Sequence, residues 1–355
     1  MPASKKTKVR AAIVGAGIGR AHAEGYVADP RAELVAICDK DGARAEQFAK
    51  DFNVPEIYTD HKEMLKKSKL DCVSIGTPNA FHVPIALDCL EAGLNVLCEK
   101  PMSVTAKEAL KIKAWRDAQK KPPLFVMAMC QRFRNEAKYV KQMVDSGEFG
   151  DIYFARTGWL RRTGIPGYGG WFTTKALAGG GALIDIGVHA LDLTWYLMGK
   201  PTPVSAVGVS FDKFGGQGKG LGGWGTHVKG GTFDVDDNTF GMIRFANGAA
   251  IQLEATWASF VEREQGVFEL FGEKAGCTLD PFRLFTEKDG VQQDVTPHIP
   301  GSGSWIAAEV RAFVDCLLEG KTPVATEEDG IWLMKMLDAI YESAAKGKEV
   351  VIKPI

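Results

Sequence analysis

The sequence offers its seven cysteines no partners. They stand at 38, 72, 89, 98, 130, 277 and 316, with no C-x-x-C pair among them, a spacing that suits neither a zinc site nor a disulfide framework. Most lie inside apolar runs such as VAIC, DCVSI and NVLC, where cysteine behaves as a small hydrophobe. An excess of one charge is missing too. The 43 basic and 44 acidic residues leave a net charge of −1, which gives no electrostatic footprint for nucleic acid or for an anionic membrane surface. No apolar run approaches the roughly 18 residues that a membrane span needs. The start, MPASKKTK, is polar and basic, and the AAIVGAG that soon follows reads as a strand. With no h-region and no twin arginine, no export signal is expected, and the location implied is cytoplasmic. No sequence repeat is visible.

What is present is enough chain for two domains: 355 residues, against the roughly 250–300 at which single cores stop growing. Up to about residue 130, apolar runs (KVRAAIVGAG, AELVAICD, LDCVSIGTP, LNVLCEKP, PLFVMAMC) alternate with helix-length polar segments. Near-continuous apolar strands separated by helices predict a parallel sheet covered on both faces. From residue 131 to 355 the rhythm changes. After one helix closed by Gly147, strands dominate, and in AIQLEATW the residues Ile251, Leu253, Ala255 and Trp257 share one face. That alternation predicts a mostly antiparallel, open-faced sheet in an α+β second domain. Thr105 and Glu108 read as a helix-starting capping box. Nine glycines in residues 215–231 predict a mobile loop that packs no core.

IVGAGIGRAH places a glycine turn between a strand and a helix. Gly15 permits the tight turn and Gly17 lets the backbone approach a pyrophosphate at the helix N-terminus. Ile18 and Gly19 complete the candidate phosphate turn. Arg20 occupies the place of the usual third glycine, and Gly19 comes one residue early. Asp39 closes the next strand 24 residues after Gly15, near the spacing expected of a carboxylate that bonds the adenosine ribose. Dinucleotide binding follows, with NAD favoured because Asp39 repels a 2′-phosphate. Lys40, beside it in the candidate cofactor set, and Arg44 leave NADP open.

Three further stretches carry chemistry. GTPNAFH (76–82) and CEKP (98–101) each end a strand at the edge where open parallel sheets bind ligands. GGGALIDIGVHALDLTWYLMG (179–199) leads a glycine loop into a helix that holds Asp185 and His189 four apart, on one face. Alone, His189 reads equally as a core histidine, Asp185 as a helix-start carboxylate and Lys100 as a snorkelling cation. Together and in this order they resemble the glucose–fructose oxidoreductase / inositol dehydrogenase / rhizopine-catabolism (Gfo/Idh/MocA) family over nearly the whole chain.

That resemblance implies a Rossmann domain followed by an open-faced antiparallel sheet, through which members commonly assemble into dimers or tetramers. It implies that Lys100, Asp185 and His189 are catalytic, that Thr77, Pro78, Asn79, His82, Glu99 and Lys100 contact the cofactor, and that Arg132 faces the substrate. The connection 159–181 adds Arg162, Tyr168 and Trp171 as candidate substrate contacts, since aromatic faces and polar side chains suit a polyhydroxylated ring. No metal site is expected. Adjacent arginines on a strand, Arg161 and Arg162, would point to opposite faces, which favours an uncharged sugar or cyclitol over a phosphate or uronate. The expected activity is hydride transfer between a secondary ring hydroxyl and the nicotinamide. The alternatives are a glycosidase-type enzyme with transient oxidation and a non-catalytic NAD-binding regulator.

Overall fold

The computed structural model describes residues 8–355. Residues 1–7, which carry most of the polar and basic start, lie outside the described residues. The chain forms two compact units.

The first unit takes the residues up to Ser103 together with Lys107–Phe133 and Gly303–Gly330. Its sheet has six strands: β1 (Val9–Val14), β2 (Ala32–Cys38), β3 (Glu56–Tyr58), β4 (Cys72–Ile75), β5 (Asn95–Glu99) and β6 (Phe125–Ala128). All neighbours pair in parallel, in the order β3-β2-β1-β4-β5-β6. The central strands are buried on both faces, which is what their unbroken apolar runs require. The order reverses between β1 and β4, so the chain leaves those two strands in opposite directions and opens a crevice at their carboxyl ends.

A single cut at residue 130 does not describe this unit, because residues 303–330 return to it. The helix Trp305–Glu319 buries Val310, Phe313 and Val314 in the same core as β1. It comes so close to the helix Gly19–Ala28 that a Cβ on Gly25 would lie 2.8 Å from Val310. Ion pairs from Arg31 to Asp315 and Glu319, both 2.8 Å, hold its far end. An amphipathic helix must bury its apolar stripe somewhere, and its partner surface here lies almost three hundred residues upstream.

The second unit holds Val104–Ala106, Arg134–Ser302 and Ile331–Ile355. Its nine strands are β7 (Ile152–Leu160), β8 (Pro203–Phe211), β9 (Asn238–Phe245), β10 (Ala250–Thr256), β11 (Gln265–Gly272), β12 (Ala275–Leu279), β13 (Phe282–Lys288), β14 (Val291–Val295) and β15 (Val350–Val351). They run in the order β14-β13-β12-β11-β7-β10-β9-β8-β15, antiparallel except where β7 meets β10. Ile251, Leu253, Ala255 and Trp257 are all fully buried, as their alternation predicts. The helix Val188–Leu197 lies against this face: Thr157 on β7 donates to the Ala190 carbonyl (2.9 Å) and accepts from Thr194 (2.8 Å). The stretch Lys175–Leu197 is long and apolar enough to cross a membrane by composition, but 78% of its apolar window is buried inside the fold. It is a core helix.

The helix Ala106–Asp117 starts directly after Thr105. Its first N–H, at Ala106, is held by the Asp338 carboxylate at 2.8 Å, an acceptor far away in sequence. The glycine-rich segment is not the unattached excursion its composition predicts. Backbone bonds from Gly164 and Ile165 to Gly220, from Gly222 to Ile165 and from Val228 to Tyr168 dock it along residues 164–168. Glycine cannot fill a core, yet its bare backbone pairs well with another backbone.

Candidate active site

In the first unit, every residue of the predicted cofactor set lies at or just beyond the carboxyl end of a parallel strand. Gly15 follows β1, and its N–H donates to the Cys38 carbonyl at the end of β2 (2.8 Å). Gly76 follows β4 and donates to the Val14 carbonyl (2.8 Å). These two bonds stitch three strand ends together. Gly15 adopts φ +99°, and a Cβ there would sit 2.5 Å from the Gly76 carbonyl oxygen. Nothing lies within 4 Å of a Cβ built on Gly17, so the backbone there is open to a ligand. A Cβ on Gly19 would strike Ile13 at 2.6 Å. Gly19 therefore does the work of the third glycine, letting the helix seat on β1. Arg20 turns away to pair with Asp51 (2.7 Å). Ile18 is exposed, and no side chain caps the helix Gly19–Ala28, so its N-terminus stays available to an anion.

Asp39 is buried and accepts the N–H groups of Ala16 (2.8 Å) and Asp41 (2.9 Å). The Arg44 guanidinium also grips it through two bonds of 3.1 and 2.7 Å. Burial alone would raise the Asp39 carboxyl, but Arg44 and the two amides outweigh it and hold it below the usual carboxylate range. Lys40 is exposed. The Arg44 fork was legible only as a nearby charge; its engagement of Asp39 is a structural finding.

Thr77 and Pro78 are half-buried at the end of β4, and Asn79 is buried beside them. The Thr77 hydroxyl oxygen is buried without a hydrogen-bond partner among the described residues. His82 is turned inward. Its ring nitrogens meet the carbonyls of Pro101 (2.7 Å) and Thr77 (2.8 Å), so it braces the two loops. Two carbonyl acceptors favour a charged ring, but burial dominates and lowers its pKa.

Glu99 ends β5, and one of its oxygens accepts the Lys100 N–H at 3.0 Å. The other meets His22 Nε2 at 3.0 Å. Burial pushes the Glu99 carboxyl up; His22, with the charges of Lys100 and His82, overcomes that and leaves it below its ordinary value. The Lys100–Pro101 peptide is cis. His22 was missed at the sequence level, though a histidine in the first turn after a glycine loop is a usable signal.

These features fit a dinucleotide: an open backbone at Gly17, an uncapped helix, an orphaned Thr77 hydroxyl and a poised carboxylate at Asp39. Arg132 does not join them. Its side chain has no exposed surface and bonds Asp329 (2.8 Å) and the Val324 carbonyl (2.7 Å) inside the first unit. In this structure it is an internal brace.

In the second unit, Asp185 lies in a π turn, Leu183–Gly187, which runs directly into the helix carrying His189. Single π turns inside helices recur at functional sites. Asp236 holds the entry to this turn. Its carboxylate accepts the N–H groups of Gly181 (2.6 Å) and Leu183 (3.1 Å) and the hydroxyls of Tyr341 (2.6 Å) and Thr239 (3.0 Å). Gly181 approaches so closely that a Cβ would lie 1.7 Å from the Asp236 carbonyl oxygen. Asp237 next door accepts three N–H groups at the foot of the glycine-rich segment, from Lys213, Phe214 and Gly215. Trp257 donates its indole N–H to Asp185 at 2.9 Å. Neither Asp236 nor Trp257 was singled out as functional from the sequence; the acidic run DVDDN between strands was the available signal for the first.

Tyr168 stacks on Phe233 (5.8 Å between centroids), and Trp171 stacks on Phe172, which meets Trp224 edge-on. The candidate aromatics thus pack in two groups, each with a side chain from or beside the glycine-rich segment. Arg162 is exposed and bonds the Glu262 carbonyl (3.2 Å). Strand β7 ends at Leu160, so Arg161 and Arg162 lie beyond it, and the argument from alternating strand faces does not apply. Arg161 lies over the Trp159 ring at 4.9 Å. No group of three or more histidine, cysteine or acidic side chains able to hold a metal occurs among the described residues.

A profile described as an oxidoreductase family with an NAD-binding Rossmann fold matches residues 9–127, and that of the GFO/IDH/MocA C-terminal domain matches residues 137–278. Fold and cofactor cradle together define an NAD-binding oxidoreductase. The chain belongs to the GFO/IDH/MocA family. It is 34% identical to the D-glucoside 3-dehydrogenase of Escherichia coli (strain K12), over 98% of this chain and 99% of that protein. The levoglucosan dehydrogenase of Pseudarthrobacter phenanthrenivorans is 30% identical over 94% and 95%. A solved levoglucosan dehydrogenase in complex with NADH and levoglucosan superposes with a TM-score of 0.84 at 25% identity, covering 98% of this chain and 100% of that one.

Proposed function

We propose that this enzyme oxidises a secondary ring hydroxyl of an uncharged sugar, glycoside or cyclitol with NAD, or runs the same step in reverse. The observation that carries the reading is the Asp185–His189 pair, four residues apart, with Asp185 in a buried π turn and His189 at the start of the helix that follows, in a chain whose full-length relatives include dehydrogenases of a glucoside and of levoglucosan.

Bound NAD supplies a hydride acceptor. A secondary alcohol gives up hydride only as its O–H bond weakens, so the reaction needs a base and a cation. His189 takes the proton, and the Lys100 ammonium stabilises the developing alkoxide. Asp185 accepts a hydrogen bond from a neighbouring hydroxyl, which suits a vicinal diol. Tyr168 and Trp171 give the ring apolar faces to stack on. Asp39 sets the preference for NAD, and the Arg44 fork tempers it by neutralising part of the charge that repels a 2′-phosphate. The dehydrogenase relatives favour net oxidation over a glycosidase-type cycle or a non-catalytic regulator.

The second unit also offers a surface for self-association. On the face of its sheet away from the helix Val188–Leu197, Val207, Val209 and Phe211 are exposed on β8. Such a face suits pairing with a second copy into a homodimer or homotetramer. The seven free thiols suit a reducing, cytoplasmic setting.

The test is a panel of free hexoses, glycosides and inositols against uronates and sugar phosphates, each with NAD and NADP. The expected outcome is higher kcat/KM for the neutral group. Preference for the charged group, lost in Arg162→Ala, would overturn the neutral-substrate reading. Activity only on primary or acyclic alcohols would overturn the ring-hydroxyl reading.

A further inference from the structure

We propose that Trp257 is a positioning residue for the reaction, holding the Asp185 carboxylate in its working orientation through the indole N–H. The inference rests on the proposed role of Asp185 and deepens it.

Asp185 and Trp257 are both buried, Trp257 completely. Their 2.9 Å bond joins residues 72 apart in sequence. An indole N–H can only donate, so the oxygen it meets serves as an acceptor, and a bond to a charged acceptor is among the stronger kinds. Trp257 is itself fixed. It follows directly on β10, and its backbone N–H donates to the Asp237 carbonyl at 2.8 Å. The neighbouring Asp236 carboxylate clamps the other side of the π turn at Gly181 and Leu183. A π turn is a rare local departure from α-helical geometry, and the direction of a side chain within it is set by the groups that grip it. Here the indole supplies one such grip. One Asp185 oxygen is thereby engaged as an acceptor, which suits the hydrogen-bonding role proposed for Asp185 beside His189 as the base.

The experiment has two arms. In the first, the indole N–H resonances of the eight tryptophans are recorded by NMR on ¹⁵N-tryptophan protein, with Trp257→Phe assigning one of them. Asp185→Ala is expected to move that resonance strongly and the others little. In the second, Trp257→Phe is expected to lower kcat about 10- to 100-fold, on the order of a modest misplacement of a catalytic group, while NADH binding is unchanged. In an Asp185→Ala background the same substitution should cost nothing more. An indole resonance that ignores Asp185→Ala, or an equal loss of kcat in both backgrounds, would overturn the proposal. If Trp257→Phe does not fold, Trp257→Tyr, which also lacks the indole N–H, assigns the resonance in its place, and triple-resonance assignment of the wild type does so if neither variant folds. If the wild type oxidises no sugar or cyclitol, the proposed function fails, and the NMR arm still judges Trp257.

Discussion

Gly15, Asp39, Thr77 and Lys100 each stand one or two residues past the end of a parallel strand. Asp185 and His189 sit instead on a π turn and the helix it leads into, held by Asp236, Trp257 and Thr157, residues from three separate places in the second unit. The first arrangement is local and the second is not. In a parallel sheet, topology alone gathers the strand ends at one edge, so a motif at a strand end is already in place. In a mostly antiparallel unit, strand ends scatter to both edges, and a site must be assembled by long-range bonds. The first region should therefore fail residue by residue, and the second as a network.

The largest expected effect tests the strand-end region. Lys100→Met should lower turnover by at least about two orders of magnitude, as for one lost electrostatic stabiliser, with NADH affinity retained in a fluorescence titration. Near-normal turnover would remove Lys100 from the chemistry. Gly15→Ala forces a side chain into positive φ and against the Gly76 carbonyl. Such strain costs about 1–3 kcal/mol, so NADH affinity should weaken tenfold or more while the second unit's sheet stays folded by circular dichroism. An unchanged affinity would mean that the turn relaxes freely.

Asp39→Ser should narrow the gap between NAD and NADP by a smaller factor, since Arg44 already offsets part of the Asp39 charge. A wild type that prefers NADP would sink the assigned role of Asp39. The smallest effect is on stability. Burial raises the Asp338 carboxyl from 3.8 to about 6. The folded state then holds this proton more tightly than the unfolded one, so stability falls as pH rises from about 4 to 6 and the cost persists above. Asp338→Asn keeps an acceptor for Ala106 and should raise the melting temperature at pH 7.5 but not at pH 4, with an upper limit of roughly 3 kcal/mol. Equal melting temperatures of the two proteins at pH 7.5 would refute it.

The contrast also explains what could be read in advance. The parallel sheet, the glycine turn, Asp39 and the EKP strand end were legible because apolar periodicity and motif lie next to each other in the chain. The Asp185–His189 pair was legible as a spacing. Its support was not: Trp257 read as one more apolar residue on a buried face, because periodicity carries no information about where an indole N–H points. Arg132 shows the same dependence on distant partners. The resemblance implied a substrate contact, and in the structure Asp329, nearly two hundred residues later, holds the side chain inward. The returning helix Trp305–Glu319 and the docking of the glycine-rich segment depend likewise on partners that no local pattern announces.

The central claim is that this chain moves hydride from a secondary ring hydroxyl, with His189 as the base. The most direct test is a single turnover: enzyme in excess, NAD bound, mixed with a limiting neutral glycoside or cyclitol while absorbance at the reduced-nicotinamide band is followed across pH. The account predicts one reduced nicotinamide per substrate, at a rate that rises with pH in the wild type and loses that dependence in His189→Ala. No reduced nicotinamide with any ring polyol, or the same pH dependence in His189→Ala, would contradict it.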